Sequence, residues 1–258
     1  MNLKDIQGFL FDLDGVFYVG DELIPGGNET LKYLNSKNIP YRFVTNTTTN
    51  SRFEICKKLV DWGLPIEESQ IFSVAYAGVS QLREWGNPSC FYFLKDDAKI
   101  EFDEFTEDCI NPDVIIMGDL GHEWTFDNLN RAFNYVMNGS RILALHKGKY
   151  FQVGEGLQID SGAFVHAIEF ASSKTADVVG KPNENFFKLA IRDMEINNMS
   201  QIAMIGDDLI NDIEGAQKVG IKSGLVKTGK FRQKILNQSK VKPDFILSSI
   251  SELPSLLE

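Results

Sequence analysis

Short apolar runs alternate with amphipathic helical patterns along most of this chain, and that rhythm constrains its fold more than any other feature. GFLFD, IPYRFVT, IFSVA, QIAMIGDD, KSGLVKTG and DFILS read as strands. Between them, NETLKYLNSK, SRFEICKKLVDW, AGVSQLREW, ENFFKLAIRDM and IEGAQKV repeat apolar residues at helical spacing. Asn50 is expected to cap the second helix, which stops at Gly63. Strands separated by helices pair in parallel, so the expected class is α/β, with a doubly wound parallel sheet.

The middle of the chain departs from this rhythm. From about Pro88 it turns strand-rich: SCFYFL, PDVIIMGDL, a helix around NLNRAFNYVMN, then RILALHK and KYFQVG. A glycine-punctuated loop, GEGLQIDSG, leads into a helical AFVHAIEFAS. DVVG, just past Ala176, reads as a strand that restores the first rhythm. The expected organisation is therefore a core domain, 1–79 and 176–258, interrupted by an inserted domain, 80–175.

Composition narrows the partners. The chain carries 26 Lys and Arg against 36 Asp and Glu, a formal charge of −10. That balance argues against nucleic acid or an anionic membrane, both of which need a basic face. A small anion needs only a local positive pocket, part of which a bound cation supplies. Cys56, Cys90 and Cys109 have no metal-ligand spacing and read as reduced thiols. With no membrane span and no secretion signal in MNLKDIQGFLF, the expected location is the cytoplasm.

Ligands of an open parallel sheet bind beyond the carboxyl ends of its strands. Asp12, Asp14 and Gly15 follow the first strand, and Thr45, Asn46 and Thr47 close the second. Lys181 follows DVVG, and Asp207 and Asp208 follow QIAMIG, with Asp212 a turn further on. Each piece alone has a plain structural reading: a turn, a strand end, a lysine before a helix-starting proline, a helix cap. Acids at two ends, a hydroxyl at a third and an ammonium at the fourth are not explained that way.

Together they suit phosphoryl transfer. Facing carboxylates repel unless a cation lies between them, and Mg²⁺ suits oxygen ligands while keeping waters and phosphate for its other positions. Asp12 is the expected nucleophile, in the manner of enzymes that form aspartyl-phosphates. Asp14, two residues on, lies on the same side of an extended backbone and serves as general acid and base. Gly15 lets backbone N–H groups turn toward the phosphate. Thr45 and Lys181, with Asn46 beside them, would bind its non-bridging oxygens.

DLDGV, VTNTTTN, VVGKP and IGDDLINDIEGA, in that order, resemble the four motifs of the haloacid dehalogenase (HAD) superfamily. The resemblance spans nearly the whole chain and implies a Rossmann-like core and a Mg²⁺-dependent phosphatase. It implies that Asp12, the backbone carbonyl of Asp14 and Asp207 hold the metal, with Asp208 and Asp212 behind them. The long insertion is similar to the α/β C2 cap of the NagD-like branch, whose members often carry TNN where this chain has Thr45-Asn46-Thr47.

The expected activity is hydrolysis of a small phosphorylated metabolite, as a phosphoric monoester hydrolase, with pyrophosphate and N-phosphorylated side chains among the open substrates. The alternative is a low-turnover module that binds a phosphorylated compound or phosphoprotein on the same fold. Dehalogenation fits poorly because Asp14 is present, and a phosphomutase fits poorly because Asp14 and Thr45 stand too close for a helical insertion. Within the insert, His146, Lys147 and Tyr150 form a candidate patch, while Phe102, Phe105 and Trp124 read as core or subunit interface. A homodimer through the inserted domain is left open.

Overall fold

The first two strands, Gly8–Phe11 and Tyr41–Thr45, place aromatic residues two apart, so their rings share one face of the sheet. Parallel pairing sets Phe9 beside Tyr41 and Phe11 beside Phe43. Phe17 then meets Phe11 and Phe43 edge-on, with ring centroids 5.5 and 5.2 Å apart. All five rings are buried. Truncating one such phenylalanine to alanine typically costs ~3–5 kcal/mol, so this cluster fixes the strand pair whose tips carry Asp12 and Thr45.

A computed structural model describes the chain except residues 1–2, 154–155 and 193. It forms two compact units, one of Met1–Thr45, Ile55–Phe72 and Lys181–Glu258, the other of Asn46–Glu54 and Ser73–Gly180. The six-stranded sheet runs Phe245–Leu247, Lys222–Val226, Ile202–Gly206, Gly8–Phe11, Tyr41–Thr45, Ile71–Ser73. Gly8–Phe11 is parallel to both its neighbours, and the chain winds outward from it in both directions. This is the doubly wound α/β sheet expected from the strand–helix rhythm.

Register aligns the strand tips. Phe11 pairs with Ile205 on one side and Phe43 on the other. The Asp12 N–H continues the ladder, donating to Ile205 O at 2.9 Å. Asp12, Thr45 and Asp207 therefore stand at three adjacent carboxyl ends.

The fourth expected tip is corrected. Asp177–Val178 pairs with Arg141–Ala144, in the four-stranded parallel sheet of the second unit. Val179 and Gly180 extend that pairing, donating to Ala144 and Leu145. Two adjacent valines announce a strand but not the sheet it joins, so the first unit resumes at Lys181 rather than near Ala176.

Other differences are local. Ser51, not Asn50, caps the helix Arg52–Asp61, its hydroxyl accepting from Glu54 N at 3.2 Å. Ser73 ends the third strand and caps the helix Val74–Glu84, which starts ahead of the expected AGVSQLREW. The stretch after Gly15 is a small hairpin, Tyr18–Val19 with Glu22–Leu23. Gly156–Ile159, part of the expected glycine-rich loop, is a strand antiparallel to Tyr150–Val153; Gly154 and Glu155 of that loop lie outside the described residues.

In the second unit, the strands Cys90–Phe93, Val114–Met117 and Arg141–Ala144 pair in parallel, as their continuous apolar runs require. Phe93, Trp124 and Phe164 stack in series at 5.6 and 5.0 Å. Phe102, Phe105 and Trp124 are buried, which makes them core. No helix among the described residues is long and apolar enough to cross a membrane.

Candidate active site

The site is built at the strand tips of the first unit. Asp12, Asp207 and Asp212 are all buried, and one carboxylate oxygen from each lies within 4.8 Å of the others. Lys181, a residue only 4% exposed, donates from Nζ to Asp12 Oδ1 at 2.8 Å and to Asp212 Oδ1 at 2.7 Å. Lys181 thus bridges two of the three carboxylates. Burial alone would lower the affinity of Lys181 for its proton, but Asp12 and Asp212 outweigh it and hold the lysine charged.

The excess of negative charge shows in the acids. Burial, then the Asp12 and Asp212 charges, push Asp207 well above the usual carboxylate range. Burial and Asp12 push Asp212 the same way against the pull of Lys181. Both directions mark a site that holds more negative charge than its own groups neutralise.

Asp207 has two unlike oxygens. Its Oδ2 accepts from the backbone N–H of Lys230 at 2.7 Å. Its Oδ1 is buried with no hydrogen-bond partner among the described residues. A buried acceptor left bare costs about 1–3 kcal/mol, more when charged, and the all-oxygen surroundings suit a hard divalent cation.

Asp212, expected behind the metal ligands, contributes an oxygen to the same cluster, with both its oxygens engaged, Oδ1 by Lys181 and Oδ2 by the Asp208 N–H at 3.1 Å. Asp208 is a helix cap: Oδ1 accepts from Ile210 N and Asn211 N at 2.9 and 3.0 Å. The turn it starts, Leu209–Glu214, is π-type, and it brings Asp212 back under the Asp208 N–H.

Gly15 answers a steric demand. Its φ is +83°, and a Cβ there would overlap the Asp207 carboxylate. Its N–H donates to Tyr18 O at 2.7 Å, which turns the chain into the hairpin. Asp14 stands exposed at the rim of the site. Partial loss of hydration, then the Asp12 charge, raises its proton affinity. Thr45 is buried at the end of its strand. Asn46, the next residue, belongs to the second unit, where it lies against Gly180.

Sequence reasoning missed the loop Thr228–Lys230, which follows the strand Lys222–Val226. Thr228 Oγ1 donates to Gly15 O. Gly229, with φ +59°, leaves no room for a Cβ between the Asp207 carboxylate and Gly15. Lys230 adds its backbone donor to Asp207, and its Nζ lies 3.5 Å from Asp208 Oδ2. The strand-end rule, applied to KSGLV as it was to the other strands, points to this loop.

The candidate patch of the second unit is internally satisfied. His146 is buried, its Nδ1 accepting from Gly148 N at 3.1 Å and its Nε2 3.3 Å from Ser161 Oγ. Lys147 Nζ donates to Glu169 Oε2 at 2.7 Å, and His166 Nδ1 lies 2.9 Å from the same oxygen. Tyr150 is exposed.

The chain is similar to known proteins over nearly its whole length. A haloacid dehalogenase-like hydrolase family model matches residues 9–106, and a HAD-hydrolase-like model matches 178–253. The chain is 33% identical over 261 residues to the phospholysine phosphohistidine inorganic pyrophosphate phosphatase of Homo sapiens, covering 99% of this chain and 95% of that protein. The crystal structure of a 4-nitrophenylphosphatase from Thermotoga maritima matches with a TM-score of 0.92 at 28% identity, over 99% of each chain. NagD from E. coli K-12 shares the fold, with a TM-score of 0.87 at 24% identity over 96% of this chain and 98% of that one. From Asp12 at the first strand tip to Asp212 at the last motif, the chain belongs to the haloacid dehalogenase-like hydrolases.

Proposed function

We propose that this chain is a Mg²⁺-dependent phosphatase that hydrolyses a small phosphorylated substrate through an aspartyl-phosphate on Asp12. One observation carries the reading: three buried carboxylates cluster while Lys181 bridges only two of them, Asp12 and Asp212, and Asp207 Oδ1 is buried with no hydrogen-bond partner among the described residues. Asp12, Asp207 and the backbone carbonyl of Asp14 would hold Mg²⁺, which would offset the carboxylate charge and draw negative charge from the phosphoryl oxygens.

Each residue then has a task. Lys181 holds Asp12 Oδ1, and the other oxygen, Oδ2, attacks phosphorus as the bond to the leaving oxygen breaks. Asp14 gives its proton to that oxygen, and its raised proton affinity suits an acid that must arrive protonated. In the second half, Asp14 takes a proton from water, the hydroxide attacks phosphorus, and the Asp12–phosphorus bond breaks to release inorganic phosphate. Lys181 and the Thr45 hydroxyl stabilise the non-bridging oxygens as charge builds there.

The names of the relatives extend the substrate panel: 4-nitrophenyl phosphate, inorganic pyrophosphate and phosphoramidates of lysine and histidine. The test is phosphate release from that panel with Mg²⁺. Turnover of at least one compound is expected, and Asp12→Asn should lower it by on the order of 10⁴-fold or more. An Asp12→Asn protein with parental activity overturns the nucleophile.

A further inference from the structure

We infer that the loop Thr228–Lys230 is a positioning device that orients Asp207 toward the cation; this rests on the reading of Asp207 as a metal ligand. A carboxylate on a free rotamer presents either oxygen. Here the Lys230 N–H engages Oδ2 at 2.7 Å, while Oδ1 is buried with no hydrogen-bond partner among the described residues and so is the oxygen left for a cation. Gly229 closes the loop onto the same carboxylate at a φ of +59°, so the backbone itself forms the wall.

Thr228 ties this loop to the turn that follows Asp14. Its hydroxyl donates to Gly15 O, and Gly15 in turn packs on the Asp207 carboxylate without a Cβ. One hydroxyl thus sets the spacing between the Asp14–Gly15 turn and Asp207, two chain segments that lie 192 residues apart in sequence (207 − 15). Groups that orient metal ligands without touching the metal commonly change its affinity by about 10–100-fold when removed.

The experiment is calorimetric titration of the substrate-free protein with Mg²⁺ alone, alongside thermal unfolding of each variant in EDTA. Thr228→Ala and Thr228→Val should bind Mg²⁺ about 10–100-fold more weakly, with unfolding midpoints near the parent's. Thr228→Ser, which keeps the hydroxyl, should bind like the parent. Should the valine variant fail to fold, the smaller alanine at this half-buried position decides. Parental affinity in a folded Thr228→Ala protein overturns the role of the loop and leaves the phosphatase reading standing. A parent protein that takes up no Mg²⁺ overturns the metal reading, and the loop's role with it.

Discussion

Two lysines held by carboxylate, Lys147 in the second unit and Lys181 in the first, differ in balance. Lys147 meets Glu169, with His166 beside it, and charge closes locally. Lys181 meets Asp12 and Asp212 while Asp207 stands within the same cluster, so charge does not close. The first pair leaves side chains 23% and 12% exposed, whereas Lys181 is 3% exposed and Asp212 fully buried. The acids record the difference. Burial works against the charged form of Glu169, yet Lys147, the Ala176 N–H and His166 hold it below the usual range; Asp207 and Asp212 are pushed above it. A balanced pair supports a fold, whereas an unbalanced one leaves negative charge that protons or a cation can offset.

That contrast is open to attack at several strengths. After the loss expected of Asp12→Asn, the next largest effect is expected from Asp14→Asn, which removes the acid and base beside the unbalanced cluster and should lower kcat by ~10²–10⁴-fold in steady-state phosphate release. Lys181→Met comes next. It leaves Asp12 and Asp212 buried without their cation and should cost about 3–5 kcal/mol in urea unfolding of the metal-free protein. Lys147→Met, at the balanced pair, should cost no more than about 1 kcal/mol in the same assay. Equal costs would erase the distinction between the two lysines.

The pH response should separate them further. Asp207 and Asp212 bind protons more tightly folded than unfolded, so metal-free stability falls as pH rises above their unfolded values near about 4. Glu169 has the opposite sign: its contribution is present above the ordinary range and is lost as pH falls. Unfolding midpoints in EDTA should therefore drop between about pH 5 and about pH 8, and Mg²⁺ should remove the drop. A profile unchanged by Mg²⁺ would count against a cation at the three aspartates.

Much of the core was legible in the sequence because its signals are local. Apolar runs between helical patterns gave the parallel sheet, and acids directly after GFLF and QIAMIG gave two of the tips. What escaped depends on partners distant in sequence. Asp177–Val178 looks like any short strand, and only pairing with Arg141–Ala144 assigns its sheet. Ser51 and Asn50 are both good caps, and backbone geometry chose Ser51. Thr228, Gly229 and Lys230 are ordinary turn residues until the fold lays them against Gly15 and Asp207.

The most direct test is to trap the phosphoryl group. The enzyme is mixed with an excess of its best substrate and Mg²⁺, quenched in acid within a turnover, digested, and mapped by mass spectrometry. A single phosphoryl adduct on Asp12 is the expected result. Steady turnover with no adduct at any quench time, or an adduct on another residue, would contradict it.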